Sequence, residues 1–335
     1  MKLAGRRCLR SAFIAAAAAV WVLAPGVSAQ TPASGPGTAY PTKPIRMISP
    51  FAPGGGTDQL GRLIALHAAE ALGQPVVVDN RPGAGGSIAA ETTVRAAPDG
   101  YTFILVSATY AGTSAYRPPA YDPIRDIQAI SLVGTTALLL TVHPSVPARS
   151  VPELIAYARA HPGKLNFGTV GAGSNVHLAL ELFKLMTQTR FVDVPYKGGA
   201  PAMTAIVGGE IQATAMSMVP SMPHVKSGRV RALAVTTAQR SPYLPEVPAV
   251  SESVPGYEAS HWYVMWGPRG IPRHIVMRWN QEVAKVLGTD EAKARMKAEG
   301  LEPGGDAPEQ AQQAVARDIE KWGRVIRDAG IKREG

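Results

Sequence analysis

The sequence predicts an α/β protein built from two similar lobes, and three observations carry that prediction. A strand, a glycine-rich turn and a helix follow one another over 45–72, and the same succession starts again through the turn at 81–87. The pattern returns over 165–216, with glycine turns 27 positions apart (Gly171 to Gly198) against 29 in the first half (Gly54 to Gly83). An apolar run at 132–142 lies between the halves and an aromatic run at 261–266 lies beyond the second, so the chain is expected to cross between lobes twice.

Each element follows from its local pattern. Residues 1–29 are expected to be a secretory signal peptide: Lys2, Arg6, Arg7 and Arg10 precede the apolar run 11–24, and Val27-Ser28-Ala29 supplies small residues for cleavage near Ala29. The run is short for a membrane span. Arg6-Arg7 leaves the general and twin-arginine export routes both open. Residues 30–40, rich in Pro, Ser, Gly and Thr, read as a flexible leader. Then come a strand at 45–49, a helix at 57–72 stopped by Gly73, a strand at 76–78, the turn Arg81-Pro82-Gly83-Ala84-Gly85-Gly86-Ser87, a helix at about 87–97 and a strand at 101–106.

After the first crossing the order is a strand at 165–167, the turn Thr169-Val170-Gly171-Ala172-Gly173-Ser174, a helix at 175–187 and a strand at 191–194. The turn Pro195-Tyr196-Lys197-Gly198-Gly199, a helix at 201–207 and a strand at 211–216 complete the half. Helices at about 272–287 and 308–329 are expected to return to the first lobe, the last with the core stripe Ala311, Ala314, Val315, Ile319, Trp322 and Ile326. The lobes are thus assigned as 41–136 with 263–335, and 137–262.

Composition excludes several classes. With 335 residues, 46% of them hydrophobic, the chain has ample material for a large core in two lobes. Its one cysteine, Cys8, lies in the expected signal peptide, so no disulfide is expected. Four of the charges behind the net +9 are also there, leaving +5 spread without a Lys/Arg block, which argues against nucleic acid. The histidines at 67, 143, 161, 177, 224, 261 and 274 have no ligand-pair spacing, so neither metal nor cofactor is expected. No later run reaches the ~20 apolar residues of a membrane helix, so the processed protein is not expected to be membrane-embedded.

The glycine turns invite a nucleotide reading, which fails on spacing. Where a dinucleotide fingerprint needs its third glycine the three turns have Gln59, Ile88 and Val176, and none has Lys before Ser or Thr at phosphate-loop spacing. What remains is backbone N–H groups aimed at an anion. A helix terminus contributes about 0.3–1 kcal/mol to such a ligand, and a hydrogen bond to a charged group roughly 1.5–3. Several together approach the ~8 kcal/mol of micromolar binding, so a carboxylate suffices. Thr57 and Ser174 suit ordinary helix caps as well, and Asp58 suits the first turn of its own helix. Their recurrence favours a shared cleft, because in a doubly wound sheet such turns lie at the carboxyl ends of the strands. His177 reads either as a cleft-lining donor or as a packing residue. Lys197 either reaches a second ligand charge or stays solvated at the rim. A hydrolase built on Ser174 and His177 lacks both a G-x-S-x-G elbow and an acid positioned to orient the histidine.

Seven landmarks in order give the chain a family likeness: Tyr40-Pro41-Thr42-Lys43-Pro44-Ile45, Pro50-Phe51-Ala52-Pro53-Gly54-Gly55-Gly56-Thr57-Asp58, Val78-Asp79-Asn80-Arg81-Pro82-Gly83-Ala84-Gly85-Gly86, Ala97-Pro98-Asp99-Gly100-Tyr101-Thr102, His161-Pro162-Gly163-Lys164-Leu165-Asn166-Phe167, Val194-Pro195-Tyr196-Lys197-Gly198 and Arg231-Ala232-Leu233-Ala234-Val235-Thr236. On these it resembles the Bug-type extracytoplasmic solute receptors of tripartite tricarboxylate transporters. The resemblance implies a two-lobed periplasmic-binding-protein type II fold, each lobe a doubly wound mixed sheet flanked by helices, the two joined by crossing strands. It implies a monomeric, non-enzymatic periplasmic receptor that closes on a small carboxylate-bearing acid and hands it to membrane permease subunits. A sensor protein as the partner, or an exported hydrolase, are the alternatives.

The expected ligand contacts are Phe51, Ala52, Gly54, Gly55, Gly56, Thr57 and Asp58 from the first loop, and Gly85, Gly86 and Ser87 from the second. Thr169, Gly171, Gly173, Ser174 and His177 face them, with Ser107, Thr109, Tyr196, Lys197 and Ser217 completing the set. Ala172 and Met216-Ser217-Met218 depart from the more polar family pattern, which points to a monocarboxylate or to an aromatic or aliphatic acid.

Overall fold

Residues 40–331 are described by the computed structural model; the expected signal peptide and residues 30–39 of the expected leader lie outside them. The described chain opens with β1 (Ile45–Ser49), four of whose five residues are buried, and α1 (Gly56–Leu72) packs against it before ending at the left-handed Gly73. Parallel pairing places β2 (Val76–Asn80) on one side of β1 and β3 (Thr102–Ser107) on the other, with α2 (Ser87–Val94) between them in sequence. A short, wholly buried helix, α3 (Thr109–Tyr116), follows β3 directly.

The long strand β4 (Ile127–Val142) then leads to α4 (Val151–Ala160), capped by the Ser150 hydroxyl. Next are β5 (Asn166–Thr169), α5 (Asn175–Thr187), β6 (Val192–Pro195), α6 (Gly199–Val207), β7 (Ala213–Ser217), α7 (Met218–Lys226) and β8 (Arg231–Val235). The chain returns through β9 (Ser260–Pro268) to α8 (Arg273–Gly288), α9 (Asp290–Ala298), β10 (Leu301–Pro303) and α10 (Pro308–Asp328).

The strands run in the order β2-β1-β3-β9-β4-β7-β5-β6, with β8 and β10 also paired to β4. The partners of β4 change along its length. Residues up to Ala137 pair antiparallel with β9, whereas Leu138 onward pairs with β7 and β8. A mixed α/β sheet therefore continues through one strand from one lobe to the other, and the fold class expected from the sequence is the one observed. The return passes Ala259, whose N–H donates to the Thr236 carbonyl at 2.8 Å before β9 joins β3 and β4. No helix among the described residues is long and apolar enough to cross a membrane.

Two differences have physical reasons. The helices α3 and α7 escape a periodicity reading. The first, Thr-Tyr-Ala-Gly-Thr-Ser-Ala-Tyr, is buried on every face and shows no polar side, and the second contains Pro220 and Pro223, which read as breakers. The last helix is not confined to the first lobe, which corrects the expectation from its stripe. Ala311 and Val315 pack with Trp262, Val264 and Trp266, but Trp322 and Ile326 join Phe183 and Tyr257 in the second lobe's core. Between these halves the buried Asp318 accepts from Trp262 Nε1 at 2.9 Å, and Lys321 pairs with Glu258 at 3.0 Å. The amphipathic stripe is real, but one stripe serves two cores.

Candidate functional site

The loop before α1 is shaped by its own carboxylate. Asp58 accepts from the Gly54 N–H at 2.9 Å, from Asn80 Nδ2 at 3.0 Å and from Arg62, while Asn80 also ties down the Phe51 carbonyl. Burial opposes ionisation of Asp58, but the hydrogen bonds from Arg62, Gly54 and Asn80 overcome it and hold the carboxyl below its ordinary range. Asp58 thus holds the loop rather than lining a cavity. Gly54 takes φ +84°, a conformation that favours glycine, and a Cβ there would also press on Ala200 at 3.3 Å.

So shaped, the loop delivers the start of α1 to a small cell of about 40 Å³, enough for a few water-sized groups. Gly55, Gly56 and Thr57 line it from α1, Ser107 and Thr109 from the start of α3, Gly199 from the start of α6, and Ser217 from the residue that leads into α7. The starts of α1, α3, α6 and α7 therefore meet at one point, with Val176 from the start of α5 beside them, and a helix start brings N–H groups without intrahelical partners. Thr57 Oγ1 is hydrogen-bonded to Ser49 Oγ at 3.0 Å. Ser107 and Thr109 are 4% and 2% exposed, and neither hydroxyl has a hydrogen-bond partner among the described residues. Both residues thus line the cell with hydroxyls that no described residue engages.

Strand β9 forms a further wall through His261 and Tyr263. Asn175 Nδ2 donates to the Ser260 carbonyl at 3.3 Å, which turns Asn175 Oδ1 toward His261 Nδ1 at 3.1 Å and puts the imidazole proton on Nδ1. Burial pushes the His261 pKa down to about 3 and the Tyr263 phenol well above its ordinary value. Neither carries charge near neutral pH, and no lining residue of the cell is a Lys, Arg, Asp or Glu. The unfolded histidine takes up a proton near pH ~6.5, whereas the folded ring resists until about 3. Through that window the unfolded state binds more protons, so this residue's share of stability falls as the pH drops. Replacing His261 with Gln should make the thermal midpoint fall less between about pH 7 and pH 4 than in the wild type. Equal falls would refute the assignment.

A larger chamber of about 390 Å³ opens beside the cell, and Phe51 and Val170 border both. Its walls are Gly83, Ala84, Gly85 and Ser87 from the first lobe against Gly171, Ala172, Pro195 and Tyr196 from the second, with Thr113 and Tyr116 of α3. Arg117 and Lys197 are its charged lining residues, and none is acidic. The rims touch: the Ala52 N–H donates to the Lys197 carbonyl at 2.9 Å, and a Cβ on Gly171 would lie 3.4 Å from the Gly85 nitrogen.

The structure gathers part of the expected contact set and sets part aside. Phe51, Gly85, Ser87, Gly171, Tyr196 and Lys197 line the chamber, and Phe51, Gly55, Gly56, Thr57, Ser107, Thr109 and Ser217 line the cell. Ala52, Gly54, Asp58, Gly86, Thr169, Gly173, Ser174 and His177 line neither. Ser174 Oγ accepts from the His177 N–H at 3.1 Å as the cap of α5, and His177 Nδ1 accepts from the Gly173 N–H at 3.2 Å. Both side chains are thus engaged by backbone N–H groups of their own turn and shape it from behind. Sequence reasoning missed His261, Tyr263, Tyr116 and Arg117. The first two were read only as a crossing, and the others belong to a helix with no visible periodicity.

Residues 60–331 match a family described as "Tripartite tricarboxylate transporter family receptor". The chain is 35% identical over 317 residues to Protein BugT of Bordetella pertussis, covering 93% of this chain and 96% of the relative. Among solved structures it is similar to R. palustris Rpa4515 with adipate (TM-score 0.83, 40% identity, 87% of this chain and 98% of that one). It is likewise similar to MatC (Rpa3494) from Rhodopseudomonas palustris with bound malate (TM-score 0.82, 30% identity, 86% of this chain and 100% of that one).

Proposed function

This chain belongs to the tripartite tricarboxylate transporter receptor family, and from that premise we propose that it captures a small carboxylate-bearing acid in the interlobe cleft and delivers it to a membrane transporter. The observation that carries the reading is the meeting of several helix N-termini and two unused buried hydroxyls around a cell without charged side chains. Such a cell offers donors to an anion and holds no acid to repel it.

The size of the cell suits one carboxylate head. The body of the ligand then passes Phe51 and Val170 into the chamber, whose small and aromatic lining suits an aliphatic chain. Lys197 in the chamber lining favours a second carboxylate, in keeping with the dicarboxylates named for the two relatives. The weakly polar lining at Ala172 and Met216 fits a straight-chain acid better than a tricarboxylate. Contacts to both rims form only when the lobes meet, so the ligand shifts the population toward closure without any covalent step. Export by the predicted signal peptide would place the receptor in the periplasm.

A calorimetric screen of protein stripped of carried-over ligand tests the proposal. Straight-chain dicarboxylates such as adipate are expected to bind in the micromolar range, with no turnover. Absence of binding by every mono-, di- and tricarboxylate would refute the reading, and citrate binding far more tightly than adipate would refute the proposed ligand class. Replacing Lys197 with Met should weaken adipate about two- to fivefold, as for an exposed charge pair, and leave the monoacid hexanoate unchanged. Equal effects on both acids would remove Lys197 from the second-carboxylate subsite.

A further inference from the structure

Tyr263 stands between the two lobes at the inner cell. It is 1% exposed, and its hydroxyl lies 2.7 Å from Ser217 Oγ, where β7 gives way to α7. On its other side the first turn of α1 packs on the phenol so closely that a Cβ on Gly56 would overlap the hydroxyl and lie 2.7 Å from Cζ. His261, two residues earlier on β9, makes a parallel reach to Asn175 at the start of α5. By pairing, β9 belongs with β3 and the first half of β4. Tyr263 therefore runs from the first lobe's sheet to a helix start of the second, and His261 makes its reach from the end of the crossing.

We propose that Tyr263 is the positioning residue that couples capture of the acid's head to lobe closure. The inference rests on the carboxylate reading of the cell. With the phenol donating to Ser217 Oγ, the serine's own O–H is left to point at the anion, and each bond polarises the next. When the second lobe swings away, Ser217 leaves the phenol and loses that orientation. Gly56 is then a glycine because the phenol occupies the space of its side chain.

The test uses the full chain in a Cys8→Ser background, with Val77→Cys and Val192→Cys carrying spin labels on the two outermost strands, β2 and β6, and adipate as the probe. Tyr263→Phe is expected to weaken adipate by about five- to tenfold, the equivalent of one hydrogen bond. It should also shift the label distances toward a more open distribution, with and without adipate. Ser217→Ala should give a similar loss, and the double variant no more than the larger single loss. Wild-type affinity and distances in Tyr263→Phe, or losses that add, would overturn the proposal. Should the wild type bind no acid at all, the carboxylate reading fails. The ligand-free distances then decide alone: opening in Tyr263→Phe sustains its closing role, and unchanged distances end it.

Discussion

Replacing Gly56 with alanine is expected to abolish acid capture, raising the dissociation constant for adipate by at least about 100-fold, or ~2.7 kcal/mol. The added Cβ overlaps the Tyr263 hydroxyl and lies 2.7 Å from Cζ and 3.1 Å from Cε1 of a ring that is 1% exposed. The ring cannot swing out of a packed core, so the start of α1 must withdraw, taking Gly55 and Thr57 from the cell. Gly55→Ala is the matched control. Its nearest neighbour would be 3.7 Å away and its φ of −78° suits any residue, so only a modest effect is expected. Calorimetry on both variants, with circular dichroism to confirm folding, checks the prediction. Near wild-type binding by a folded Gly56→Ala would show that the cell tolerates a displaced helix and does not hold the head group.

The second large effect is expected from removing the two unused hydroxyls. Ser107→Ala with Thr109→Val should cost roughly 1.5–3 kcal/mol of binding for each bond to a charged ligand, hence about 100-fold or more for the pair. Stability should change little, because neither hydroxyl is hydrogen-bonded to another described residue and their removal breaks no such bond. Loss of binding with an unchanged thermal midpoint is the signature. Loss of both would show that the hydroxyls serve the fold, and full binding would remove the start of α3 from the head-group subsite.

The lobes were legible in the sequence because strand, glycine turn and helix are each local signals, and their repetition over 45–106 and 165–216 was readable without any contact. The cell was legible only in part. Glycine marks the junctions into α1 and α6, but the junction Ser107-Ala108-Thr109 has no glycine and leads into a helix without a polar face. Its two hydroxyls were anticipated only through the family likeness. Asp58, Ser174 and His177 show the converse limit. Sequence can say that a residue sits at a helix start, but not whether its side chain faces outward to a ligand or backward to its own loop. Tyr263 was out of reach, since its role depends on a meeting of Gly56 and Ser217, 161 positions apart, which no local pattern encodes.

The last helix would set the kinematics of the proposed closure. With 21 residues it spans about 31 Å at ~1.5 Å per residue, and it is bolted at one end by Ala311 and Val315 and at the other by Trp322 and Ile326. A beam packed into both bodies would put the fulcrum of the proposed closure along α10 and the neighbouring stretch of β9. Loops remote from that line would travel on a long lever arm while residues beside it would barely move. In the proposed closure, small rotations near Trp262 and Asp318 would be magnified at the rims, where Gly85 meets Gly171.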